Sequence, residues 1–88
     1  MTEAVLTIRN QAGMHARAAR VFVNTASKFR ARVTVVREDL EVDGKSILGV
    51  MMLAAELGAE IRVRTEGEDE GEALEAISRV VEEKFGEE

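Results

Sequence analysis

Three times along this chain the spacing of apolar residues changes from two to between three and four, and few folds accommodate that alternation. From Glu3 to Arg9, Ala4, Leu6 and Ile8 oppose Val5, Thr7 and Arg9, the pattern of a half-buried strand. The loop Asn10-Gln11-Ala12-Gly13 follows, and from Ala16 the period changes. Ala19, Phe22, Val23, Ala26 and Phe29 then fall on one helical stripe, with Arg17, Arg20, Asn24 and Ser27 on other faces. Arg32 to Arg37 is rich in β-branched residues and predicts a second strand, and Arg37-Glu38-Asp39 a tight turn into a short third one, Leu40 to Val42. Beyond the turn Asp43-Gly44-Lys45, Ser46 stands at the N-cap of an apolar helix ending near Gly58, a C′ glycine. Glu60 to Thr65 alternates again as a fourth strand. In the acidic run Glu66 to Glu72, Asp69 and Glu72 have the spacing of a capping box. Ala73, Leu74, Ile77, Val80, Val81 and Phe85 make the stripe of a last helix, which frays into Gly86-Glu87-Glu88.

The order βαββαβα, with four strands and three helices, predicts an α+β fold. Its form is a two-layer open-faced sandwich, a four-stranded sheet with the helices on one face and water on the other. The 88 residues are expected to make one domain, 1–88. Without cysteine there is no disulfide framework and no thiolate nucleophile, so the core must hold the fold alone. The longest glycine-free apolar run, Val50 to Ala55, is far short of the roughly 20 residues of a membrane span. The first residues show neither a basic region nor a cleavage site, so the expected location is cytoplasmic, with no direct membrane insertion.

A formal net charge of −5 and only three aromatic residues argue against a nucleic-acid partner. The charge is unevenly placed. Up to Arg37, seven basic side chains face Glu3 alone; beyond it, five basic face sixteen acidic. An anionic ligand or acidic partner is therefore expected to look first at residues 1–37, which also hold the single histidine.

Two features exceed what packing needs. Gly13-Met14-His15-Ala16-Arg17 lies at a loop-to-helix junction, where unpaired N–H groups and the helix dipole favour an anion. Cationic neighbours and the dipole disfavour the imidazolium at His15, so a ring lone pair stays available to accept a phosphoryl group. Arg17, Arg20 and the backbone would steady the phosphoryl oxygens. The plain alternative is a surface histidine without a task. The second feature is the helix after Ser46, apolar around most of its circumference. If Val50, Leu53, Ala54 and Leu57 face the sheet, Ile47, Leu48, Met51 and Met52 are left over. They form either a docking patch or a contact buried by the neighbouring helix. Ser46 is first a structural N-cap, although a phosphate there would sit well on the dipole.

These residues carry a resemblance. Gly13-Met14-His15-Ala16-Arg17 resembles the active-site stretch of HPr, the histidine-containing phosphocarrier family of the bacterial phosphoenolpyruvate-dependent sugar phosphotransferase system. Gly44-Lys45-Ser46-Ile47-Leu48-Gly49-Val50-Met51 resembles the regulatory-serine signature of that family, and the match runs through nearly the whole chain, closest to the Gram-positive type. The resemblance implies that His15 takes phosphate from phosphorylated enzyme I on Nδ1 and passes it to IIA domains of sugar permeases. Arg17 would hold the phosphate, together with the backbone N–H groups of Ala16 and Arg17. Ser46 would be the site of HPr kinase/phosphorylase where one exists, creating a form that binds a catabolite-control transcription regulator. Arg20, Asn24, Ser27, Ile47, Leu48 and Met51 would form the docking surface for enzyme I and IIA. The sheet order would be antiparallel, 1-4-2-3. The chain would be a monomeric protein co-substrate, not an enzyme, needing no cofactor and no metal.

One position departs from the family pattern: Ala18 stands where a proline usually follows the active-site arginine. Alanine costs no helix propensity, so the fold is expected to survive, and the departure bears on transfer kinetics and the pose of Arg17. Two other readings compete with the sugar carrier. One is an interaction protein acting mainly through Ser46, or a nitrogen-regulatory branch of the same chemistry. The other is a small metabolite- or metal-binding module, which a lone histidine without cysteine disfavours.

Overall fold

Each change of period becomes a change of element. The computed structural model describes residues 1–87. Their order is β1 Thr2–Thr7, α1 Ala16–Ala26, β2 Arg32–Arg37, β3 Leu40–Asp43, α2 Ile47–Met52, β4 Glu60–Glu66, α3 Glu70–Glu82 and a 3-10 turn Lys84–Gly86. The strands form one antiparallel sheet in the order β1-β4-β2-β3, as the resemblance implies. Its register aligns the apolar half of every alternation on one face. Leu6 lies opposite Ile61, Ala4 opposite Val63, and Val35 opposite Val63 from the other side.

That face is buried beneath the helices, Val50 of α2 entering the same core as α1 and α3. Phe22 and Val23 of α1 and Ile77 and Val81 of α3 join Leu6, Val33, Val35, Ile61 and Val63 in one continuous core. The other face stands in water, where Val5 is exposed opposite Arg62. The Glu3–Arg62 ion pair there, at 3.3 Å, is worth at most about 1 kcal/mol, so inward burial holds the sheet together. Ala18 is fully buried in the first turn of α1, so the helix starts without the family proline.

The ends of the helices depart from the sequence expectation, each for a local reason. α1 stops at Ala26, leaving Phe29 half-buried beyond it. α2 stops at Met52 instead of running toward Gly58. Ala54 takes the left-handed conformation (φ 50°), and Arg37 Nη1 donates to the carbonyls of Leu53 (3.0 Å) and Ala54 (2.8 Å). An arginine from β2 thus satisfies the orphan carbonyls that a glycine cap would otherwise serve. Gly58 (φ 89°) turns the chain into β4 instead, its N–H donating to the carbonyl of Ile8. Val50 and Leu53 face the core, whereas Ala54 and Leu57 face solvent.

The capping box at Asp69 is also not formed. Asp69 makes no side-chain bond to its own helix. Its carboxylate accepts the N–H groups of Arg30 (2.9 Å) and Ala31 (2.8 Å), fastening the α1–β2 connection to the start of α3. Glu70 accepts from Gly67 instead. The Arg30 hydrogen bond, with Ala31 adding to it and desolvation opposing, holds the Asp69 carboxyl below the usual aspartate range. A carboxyl depressed in the folded state stabilises the protein above its unfolded pKa, and that contribution fades as pH falls through the folded value. Asp69→Ala should therefore lower the urea midpoint at neutral pH, and the gap to the parent protein should close on acidification. A gap that persists in strong acid would show that the side chain acts other than through its charge.

After α3 the chain does not fray at Gly86 and Glu87; Glu88, the last residue of that expectation, lies outside the described residues. Lys84 (φ 59°) and Phe85 (φ 56°) are both left-handed, at about 1 kcal/mol or more each. Phe85 is thereby buried, contributing about 2–3 kcal/mol, enough to offset most or all of that strain. The reversal aims Glu87 at the loop between β1 and α1.

Candidate functional site

The loop is built outward from Asn10, whose side chain is fully buried. Its Nδ2 donates to the carbonyl of Gly13 at 2.7 Å and to Glu87 Oε1 at 3.0 Å, and the N–H of Gly13 returns to the carbonyl of Asn10. Gly13 has φ 71°, and a Cβ there would lie 2.6 Å from the carbonyl oxygen of Ala55 and 2.9 Å from Glu56 Cα. Only glycine fits such an approach in that conformation. The N–H of Met14 then donates to that same Ala55 carbonyl at 2.8 Å, and the Met14 side chain is buried. The loop is therefore clamped between the core and the segment that follows α2.

His15 emerges from this clamp as the N-cap of α1, in extended conformation. Its Nδ1 accepts the N–H of Arg17 at 3.2 Å, while Nε2 lies 2.6 Å from Glu87 Oε2 on the opposite side of the ring. A ring nitrogen facing an N–H acts as acceptor, and one facing a carboxylate acts as donor. The network thus assigns the neutral ring its proton on Nε2 and its lone pair on Nδ1. The Asn10 hydrogen bond holds the Glu87 carboxyl below the usual range; His15 and the charge of Arg17 add to this, and desolvation opposes it. The imidazole is one-third exposed, open to a reaction partner.

Nδ1 points into the start of an eleven-residue helix, where the first N–H groups have no intrahelical acceptors. Arg17 is exposed and shares with Gln11, Ala12, His15 and Glu87 the wall of a shallow depression. A nucleophilic nitrogen, backbone donors and a guanidinium meet here, a set able to accept and stabilise an anionic electrophile.

Arg20 and Asn24 lie along the exposed face of α1, and Ser27, its C-cap, is exposed just beyond them. On α2, Ile47, Leu48, Met51 and Met52 remain exposed, Leu48 by 71%, so α1 packs against α2 without covering them. Ser46 is the N-cap of α2, its Oγ accepting the N–H of Gly49 at 3.0 Å. It sits at the start of α2, whereas the His15 loop touches the segment beyond the end of that helix, so the two share no hydrogen bond. Asn10 and Glu87 are the site residues that sequence reasoning missed. The one signal was Phe85, an apolar residue continuing the stripe past the end of α3, and periodicity does not report a chain reversal.

The family model described as "PTS HPr component phosphorylation site" matches residues 2–83. A protein from Xylella fastidiosa named phosphocarrier protein HPr is 48% identical over 99% of this chain and 98% of its own length. The crystal structure of HPr-C-His from Thermoanaerobacter tengcongensis superposes with a TM-score of 0.96 at 43% identity, covering 100% of this chain and 99% of that one. For the phosphocarrier protein HPr from Bacillus anthracis the TM-score is 0.87 at 36% identity, over 91% of this chain and 95% of that one. Identity is thus higher to the Xylella protein than to the Bacillus one. Fold, strand order and full-length similarity agree, and the chain belongs to the HPr family of phosphocarriers of the phosphotransferase system.

Proposed function

We propose that His15 is the phosphoryl acceptor, charged by enzyme I from phosphoenolpyruvate and discharged to IIA proteins of sugar permeases. The observation that carries this reading is the Nδ1 lone pair held at the N-terminus of α1. In the forward step Nδ1 forms a bond to phosphorus as the bond to the donor breaks, the leaving electron pair staying with the donor. The Arg17 N–H, which now donates to Nδ1, and that of Ala16 then face the phosphoryl oxygens, and the Arg17 guanidinium neutralises part of their charge. Turnover belongs to enzyme I, and this chain acts as its protein co-substrate over a single domain, 1–88.

The exposed faces of α1 and α2 supply the docking surface of this reading, through Arg20, Asn24, Ser27, Ile47, Leu48 and Met51. Ser46 serves as a regulatory site for an HPr kinase. A phosphate there brings a charge of roughly −2 beside Ile47 and Leu48 and weakens docking by desolvation and repulsion. Among the described residues no helix is long and apolar enough to cross a membrane.

The test is incubation with phosphoenolpyruvate and enzyme I, followed by phosphorus NMR of the product. An acid-labile phosphoramidate on Nδ1 of His15 is expected; phosphate on any other atom defeats the proposal. Arg17→Ala should slow transfer about tenfold, because one exposed cation is lost while the backbone donors remain. Arg17→Lys should recover only part of the rate, since a point charge replaces a planar fork. Stopped-flow transfer rates decide it, and an Arg17→Ala rate equal to that of the parent removes Arg17 from the site.

A further inference from the structure

We propose that Glu87 is a positioning residue for phosphoryl transfer, holding the Nε2 proton of His15 so that only Nδ1 presents a lone pair; this role rests on the carrier reading above. The carboxylate is itself fixed in place. Oε1 accepts from Asn10 Nδ2, the same group that binds the Gly13 carbonyl, and Oε2 meets His15 Nε2 at 2.6 Å. Buried Phe85 anchors the reversed turn that delivers it. One buried amide therefore ties the acceptor loop, the imidazole and the segment after α3 into a single network. Among the described residues, Arg17 is the other charged side chain lining this depression.

A carboxylate behind an imidazole sets its tautomer and stabilises the positive charge the ring gains in reaction. When Nδ1 bonds to phosphorus, the ring becomes cationic and its Nε2 proton stays in place, facing Glu87. When the N–P bond breaks toward the next acceptor, the electron pair returns to Nδ1 and a neutral imidazole departs. Had the Nε2 proton been lost, the leaving group would be an imidazolate, which is far poorer. Glu87 thus serves both directions of transfer while touching neither phosphorus nor its oxygens.

The experiment compares the full chain with Glu87→Ala and Glu87→Gln. Proton NMR of the nitrogen-15-labelled protein, without any donor, should show a ring Nε2–H resonance protected from exchange. Alanine should abolish it, and glutamine should weaken it, because its one amide oxygen can accept from Nε2 only by turning its NH2 against the donor Asn10 Nδ2. Transfer from enzyme I should fall about tenfold with alanine and about fivefold with glutamine, because the amide drops the charge and offers one acceptor where the carboxylate offers two. Thermal melts of all three proteins separate these losses from unfolding. The proposal is overturned if the resonance survives in Glu87→Ala, or if it disappears and the transfer rate holds. A parent protein that takes phosphate while both variants match its rate removes Glu87 alone. A parent that takes none defeats the carrier reading too.

Discussion

Alanine at His15 is expected to cut phosphoryl acceptance from enzyme I by more than about a thousandfold while leaving the protein folded. The magnitude follows from chemistry: no other side chain of the loop offers a nucleophilic nitrogen, so a covalent route is removed rather than slowed. The structural cost is small and calculable. The ring gives up the N-cap bond to the Arg17 N–H and the contact with Glu87, about 1 kcal/mol for the cap, or a melting temperature lower by roughly 4–8 °C. Radiolabel transfer and a melt on the same preparation separate the two effects. Persistent labelling of His15→Ala would sink the assignment, and a variant that does not fold would show that the cap bond is worth far more than caps usually are.

Valine at Gly13 should give the opposite profile, large in stability and secondary in chemistry. The new Cβ would meet backbone atoms of Ala55 and Glu56, which cannot swing aside like a flexible side chain. A β-branched residue in the left-handed region adds its own strain. Together these should cost about 2–4 kcal/mol, or roughly 10–25 °C in melting temperature. Because the Met14 N–H to Ala55 bond lies next to the clash, His15 loses its placement and transfer falls with stability. Gly71 supplies the control: a Cβ there meets nothing within 4 Å, so Gly71→Ala should be neutral or mildly stabilising. Urea titrations of the two variants at equal slope decide the case. A Gly13→Val midpoint matching that of the parent would mean the loop is not clamped.

The alternations at Leu6 and Ile8, at Val33 and Val35, and at Ile61 and Val63 were legible because a strand buried on one face must repeat every two residues. The Ala19, Phe22, Val23, Ala26 stripe was legible for the parallel reason in a helix. The Ser46 cap was local enough to read, since its bond spans three residues, whereas His15 was read at a helix start but not as its N-cap. Strand order came only through resemblance, because periodicity says which face a residue takes and not which neighbour it meets. What stayed hidden depends on partners distant in sequence. Arg37 ends α2 from sixteen residues or more away, Asp69 binds the backbone of Arg30 and Ala31, and Glu87 crosses to His15. No local propensity foretells such contacts, and each displaced a local expectation: a glycine cap, a capping box, a frayed end.

The sheet order also has a kinetic consequence. β1 is made first yet pairs only with β4, Thr7 meeting Glu60 and Thr2 meeting Thr65, so most of the chain must form before the first strand has a neighbour. Closing so long a loop gives up entropy before contacts return it, which places this pairing among the slower events of folding. The loop that carries His15 leaves directly from β1, and it is clamped by Ala55, made just ahead of β4. A nascent chain therefore carries its histidine long before the loop that holds it is clamped: the ring gains its placement late, when the opening strand docks.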